Sequence, residues 1–103
     1  MTDPSVLQEI VRRIVQVALP ERIILFGSAA RGEGGPDSDI DLLIVKSNVH
    51  RRRLAMDLYE ALADIEQAVD LIVATPEDLE RYGQSPALVL EPALREGKLL
   101  YAA

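Results

Sequence analysis

The chain has 103 residues, 49% hydrophobic and 27% charged, with no cysteine, which is enough for one core and excludes two full domains, a disulfide framework and a cysteine nucleophile. Seventeen acidic against 11 basic residues give a net charge of −6, and aromatic content is 4% with no Trp. These values argue against broad binding to nucleic-acid phosphates and against a stacking platform for single strands. The N-terminus shows no basic stretch leading into a long apolar one, and no apolar run reaches the ~18 residues that span a bilayer. The expectation is a soluble, cytoplasmic domain over residues 1–103 with no membrane partner.

Thr2 or Asp3 can cap a first helix with Pro4 in its opening turn, and Val6, Leu7, Ile10, Val11, Ile14, Val15 and Val17 follow at helical spacing until Pro20. Arg22-Ile23-Ile24-Leu25-Phe26 reads as a buried strand with a tight exit at Gly27-Ser28, where a short helix can open. Gly32, Gly34, Gly35 and Pro36 then force a loop, and Ile40 to Val45 forms the second strand. An amphipathic helix of about five turns is expected over 50–67, from Leu54, Leu58, Ala61, Leu62 and Ile65. Val69 to Val73 makes the third strand. Thr75-Pro76-Glu77-Asp78 starts a short helix that stops near Gly83. A further helix carries Leu88, Val89, Leu90 and Leu94 to Gly97, and Lys98 to Tyr101 is an edge strand. The pattern predicts an α/β (α+β) fold, a small mixed sheet of three to four strands with helices mainly on one face.

Three carboxylates stand where core strands prefer apolar residues. Asp39 and Asp41 share one face of the second strand, and Asp70 interrupts the third. Like charges so placed repel unless a cation lies between them, and hard oxygen ligands suit Mg²⁺ or Mn²⁺, with room for two ions. Gly27 and Ser28 reach the same end of the sheet, where a helix start favours phosphate, and Arg31 follows one turn on. Metal carboxylates beside a phosphate cradle are the parts of a phosphoryl or nucleotidyl transfer site.

The run Phe26-Gly27-Ser28-Ala29-Ala30-Arg31-Gly32, ten residues between Ser28 and Asp39, and then Asp39-Ile40-Asp41 resemble the signature of the DNA polymerase β-like nucleotidyltransferases. Asp70 in Val69-Asp70-Leu71 matches the third carboxylate of that superfamily, and the short chain is similar to its minimal (MNT) branch. The resemblance implies transfer of NMP, with AMP from ATP the first choice, from a nucleoside triphosphate to an acceptor hydroxyl, releasing pyrophosphate. It also implies that Gly27, Ser28 and Arg31 bind the triphosphate, that Asp39 and Asp41 hold both metals, and that Asp70 holds the metal that activates the acceptor. Members of this branch pair with a helical HEPN RNase toxin as its antitoxin, so the implied partner is a HEPN-type toxin and the implied acceptor a hydroxyl of that protein.

Other readings fare less well. Taken singly, Gly27-Ser28 is also a strand-exit turn, the Asp39/Asp41 pair a cap with a surface carboxylate, and Asp70 a strand-edge residue. The segment from Asp37 begins like a calcium loop but has Leu42 and Asn48 where Gly and Glu are required. No Lys-Ser or Lys-Thr follows Gly32, no Gly-x-Ser-x-Gly surrounds Ser28, and His50 is the single histidine. The basic run His50-Arg51-Arg52-Arg53 opens a helix, where cations oppose the dipole; it reads either as a solvated start or as a contact for nucleotide phosphates, RNA or an acidic partner. A non-catalytic module that neutralises a toxin by occlusion is the rival function, and the sequence leaves the nucleotide base, the acceptor, homo-oligomerisation and Mg²⁺ against Mn²⁺ open.

Overall fold

A computed structural model of the chain describes residues 4–32, 39–82 and 94–103. Helix α1 spans Pro4–Ala18 and buries Ile10, Ile14 and Ala18, each four residues from the last, along one stripe. It ends where Leu19 turns to φ 47° and Pro20 follows, a left-handed stop before a residue that cannot continue a helix. The predicted N-cap of this helix lies outside the described residues.

Strands β1 (Arg22–Phe26) and β2 (Ile40–Val45) pair antiparallel, with Phe26 opposite Asp41. Between them sits α2, the single turn Gly27–Ala30, which opens one residue earlier than the sequence indicates. Helix α3 (Arg51–Ala61) crosses over to β3 (Val69–Ala74), which runs parallel to β2. Helix α4 (Pro76–Tyr82) follows, and β4 (Lys98–Ala102) returns to pair with β1, giving the order β3-β2-β1-β4. Thr75 and Asp78 cap α4 reciprocally: Asp78 N–H donates to Thr75 Oγ1 at 3.1 Å and Thr75 N–H donates to Asp78 Oδ2 at 3.0 Å. The expected helix around Leu88 to Leu94 falls mostly outside the described residues, of which 94–96 form a helical turn.

Alternation along the strands divides the core. Ile23, Leu25, Ile40, Leu42 and Ile44 meet Ile10, Ile14, Leu54 and Leu58 of α1 and α3 on one face. Ile24, Leu43 and Val45 meet Leu79 of α4 on the other, with Phe26, Ile72 and Leu94 packed against them. The two long helices therefore cover one face, as the sequence predicts.

One boundary differs. Helix α3 stops at Ala61, six residues short of the expected Gln67. Leu62 and Ile65 still pack into the core, joined by an i to i+3 bond from Ile65 N–H to Leu62 O at 3.1 Å, so the apolar spacing continues through turns. Arg13 of α1 donates to the freed Ala61 carbonyl at 3.0 Å and also holds Asp64, so its guanidinium satisfies the helix end. No described helix is long and apolar enough to cross a membrane.

Candidate active site

The site is built from the exits and entries of three strands at one end of the sheet. Strands β2 and β3 start there, and β1 finishes there. Parallel pairing sets Asp41 directly beside Asp70, on strands about 4.8 Å apart, so their side chains share a face. Asp39 lies two residues before Asp41, on the same side by alternation. Ile40 and Leu42, pointing the other way, are buried against α1 and α3 and fix which face the carboxylates take.

Asp41 is half-buried, while Asp39 and Asp70 are exposed. Burial pushes the Asp41 carboxyl above its ordinary range, and the charges of Asp70 and then Asp39 push it further the same way. The fold thus holds a carboxylate whose ionised form is disfavoured by its surroundings, a cost that a bound cation removes.

Gly27 meets this group from β1. Its φ is +74°, and a Cβ there would fall against the carboxylate of Asp41, 3.2 Å from Cγ and closer to Oδ2. Only glycine fits both the conformation and the space. Ser28 lies in the first turn of α2, half-buried, and Phe26 at the N-cap position supplies no side-chain acceptor for the amides of that turn.

The structure therefore brings Gly27, Ser28, Asp41 and Asp70 to one place, with Asp39 at its edge. Arg31 follows at the end of α2. Its guanidinium pairs with Glu96 at 3.5 Å, both side chains over two-fifths exposed. Among the described residues no three His, Cys, Asp or Glu side chains close around one point. The carboxylates suit a divalent cation in donor type and strand register, with two of the three on the solvent side. Two features escaped sequence reasoning. Glu96 carries no motif, but the Gly27–Asp41 contact was within reach, because a β1/β2 hairpin pairing Phe26 with Asp41 sets the next residue beside that carboxylate.

Residues 8–103 match the family model described as polymerase beta, nucleotidyltransferase, and the chain belongs to that family. Forty-three residues, 42% of the chain, are 49% identical to a protein of Methanocaldococcus jannaschii named as a candidate protein adenylyltransferase. The match spans 28% of that relative's length. A crystal structure of a toxin-antitoxin with AMP-PNP is 24% identical, with a TM-score of 0.58 over 93% of this chain and 73% of that one. A chain in a solved structure of the tri-AMPylated Shewanella oneidensis HEPN toxin in complex with MNT antitoxin is similar at 21% identity and a TM-score of 0.50, covering 94% of this chain and 67% of that one. At these identities the structures speak for the fold, a four-stranded mixed sheet of nucleotidyltransferase type.

Proposed function

We propose that the chain moves AMP from ATP to a hydroxyl of a partner protein, and that this partner is a HEPN-type RNase toxin which the modification silences. The observation that carries the reading is the pairing of Asp41 with Asp70 next to Gly27, in a chain of the nucleotidyltransferase family. The name of the archaeal relative and the AMP-PNP and AMPylated complexes support the choice of adenylate and of a protein acceptor.

Gly27 lets the chain turn beside the Asp41 carboxylate, and the amide and hydroxyl of Ser28 are donors for phosphate oxygens. Asp39, Asp41 and Asp70 would hold divalent cations, Mg²⁺ by first choice and Mn²⁺ by second. When bound, the cations neutralise the triphosphate and the charge that builds on it during transfer. The acceptor oxygen bonds to the α-phosphorus, the bond from that phosphorus to the bridging oxygen breaks, and pyrophosphate leaves with its electron pair. The hydroxyl proton passes to Asp70, the exposed carboxylate paired with Asp41.

A second reading draws on Arg31. Its guanidinium lies 3.5 Å from Glu96, and if that contact persists with nucleotide present the triphosphate lacks one predicted ligand, as a module that neutralises its partner by occlusion would. Intact mass spectrometry separates the two. A HEPN-type toxin incubated with the protein, Mg²⁺ and ATP gains one or more AMP units, and Asp41→Asn abolishes the gain. A stable, neutralised complex with no mass gain for any nucleoside triphosphate supports occlusion and overturns transfer.

A further inference from the structure

The opposite end of the sheet carries a feature that nucleotide chemistry leaves unexplained. Asp39, Asp41 and Asp70 stand where β2 and β3 begin, and the basic run His50 to Arg53 stands beyond the end of β2, roughly 15–20 Å away along the strand. Three arginines occupy the first turn of α3, which contains no acidic residue, so each opposes the helix dipole and repels its neighbours. Structure accounts for one of them. Arg51 bonds Asp78 of α4 at 2.9 Å. Among the described residues Arg53 reaches only Asp57, at 3.9 Å with 78% of its side chain exposed, and Arg52 has no ion pair or side-chain hydrogen bond.

His50 adds direction to the cluster. Its Nδ1 accepts the Arg53 amide N–H at 3.2 Å, capping the helix, which leaves the proton of the neutral ring on Nε2 as a further donor. His50, Arg52, Arg53 and Met56 line a shallow depression of about 300 Å³, and Met56 is 62% exposed. The patch thus offers donors and positive charge around an apolar side chain. Beyond it α3 and the turns after it turn acidic, with Asp57, Glu60, Asp64 and Glu66 all exposed. A phosphate backbone extending past one helical turn would run into those carboxylates. A short segment bearing two or three carboxylates and one apolar residue would not.

We propose that this patch is a docking surface for a short acidic, apolar-bearing segment of a partner protein, its carboxylates on Arg52, Arg53 and His50 Nε2 and its apolar side chain on Met56. In a chain of net charge −6 a basic patch of this kind favours an acidic segment locally against a repulsive overall field. Docking here leaves the carboxylate end of the sheet uncovered. The proposal uses none of the nucleotide-site residues, so it stands or falls apart from the transfer reading.

The test is titration of the full chain with a fluorescein-labelled twelve-residue peptide of Glu and Leu, followed by amide chemical shifts. Saturable binding is expected, with shifts centred on 49–56 and a loss of about tenfold in affinity for the Arg52→Glu/Arg53→Glu variant. Arg52→Gln, which keeps the helix start closer to its original form, should lose about threefold and guards against a folding defect in the charge-reversed variant. Equal binding of a Gln-for-Glu peptide, or shifts elsewhere on the chain, would overturn the proposal. So would tighter binding of oligouridylate at 49–56, which would assign the patch to nucleic acid.

Discussion

At Gly27 two demands meet, a φ of +74° and a neighbouring carboxylate with no space for a Cβ. The conformation alone costs a residue other than glycine about 1–2 kcal/mol, and the contact forces Asp41 to move. Gly27→Ala should therefore lower the thermal midpoint and reduce nucleotide binding together. A variant that keeps full stability would show that the turn relaxes freely. Asp41→Asn should act oppositely on stability. Burial and the charges of Asp70 and Asp39 all disfavour ionised Asp41, so removing its charge should leave the thermal midpoint at neutral pH unchanged or raised while transfer is lost. A lowered midpoint would mean that Asp41 makes a stabilising contact the structure does not show. That outcome would place function and local stability in opposition at Asp41.

At the scale of elements, α1 and α3 are joined by both apolar and charged contacts. Leu58 is fully buried between α3 and the sheet, and truncation to Ala should cost about 2–5 kcal/mol by denaturant unfolding. A loss below 1 kcal/mol would place α3 outside the cooperative core. From within α1, Arg13 bonds Glu9 at 2.8 Å and, at the end of α3, Asp64 and the Ala61 carbonyl. Hydrogen bonds from Arg12 and then Arg13 lower the Glu9 carboxyl from 4.5 to about 2. A carboxyl depressed in the folded state contributes stability that is present above pH 4.5 and lost as pH falls towards about 2. Glu9→Gln should thus lower the thermal midpoint at pH 6 and converge with the parent protein near the acid end of that window. An undiminished gap there would show that Glu9 acts through packing. Because these groups are solvent-facing, the gap should also shrink in high salt.

The element scale also shows what could be read from residues alone. Strands β1 and β2 fall where their apolar runs predict, because a buried strand bounded by Gly, Pro or Asp has few other ways to lie. Strand β3 gains only Ala74, which pairs with Val45. The early end of α3 was not legible. Leu62 and Ile65 suit a helix or a turn equally, and the deciding group is Arg13, distant in sequence, which satisfies the Ala61 carbonyl. For the candidate site, residue types and spacing name the members, while their geometry depends on pairing that residues alone do not set. Asp-x-Asp spacing places two carboxylates on one face, but that Asp70 falls beside Asp41, rather than beside Asp39, is a matter of parallel register. Arg31 illustrates the limit. Its position after Gly27-Ser28 points to phosphate, and that Glu96 comes within 3.5 Å of its guanidinium is set by the return of the chain into β4, which no local motif marks.

For the whole molecule, the sheet separates two kinds of chemistry. One end gathers carboxylates around Gly27, and the other presents arginines around Met56. The central claim concerns the first end: the Asp41/Asp70 row with Gly27 and Ser28 is a cation-dependent nucleotide site. Substoichiometric Mn²⁺ added to the isotope-labelled protein with a non-hydrolysable ATP analogue tests it without any partner, since a bound paramagnetic ion broadens nearby amide signals. The account predicts broadening centred on 26–29, 39–41 and 69–71 that vanishes in Asp41→Asn. Broadening spread over the acidic surface of α3, or none in the presence of the analogue, would contradict it.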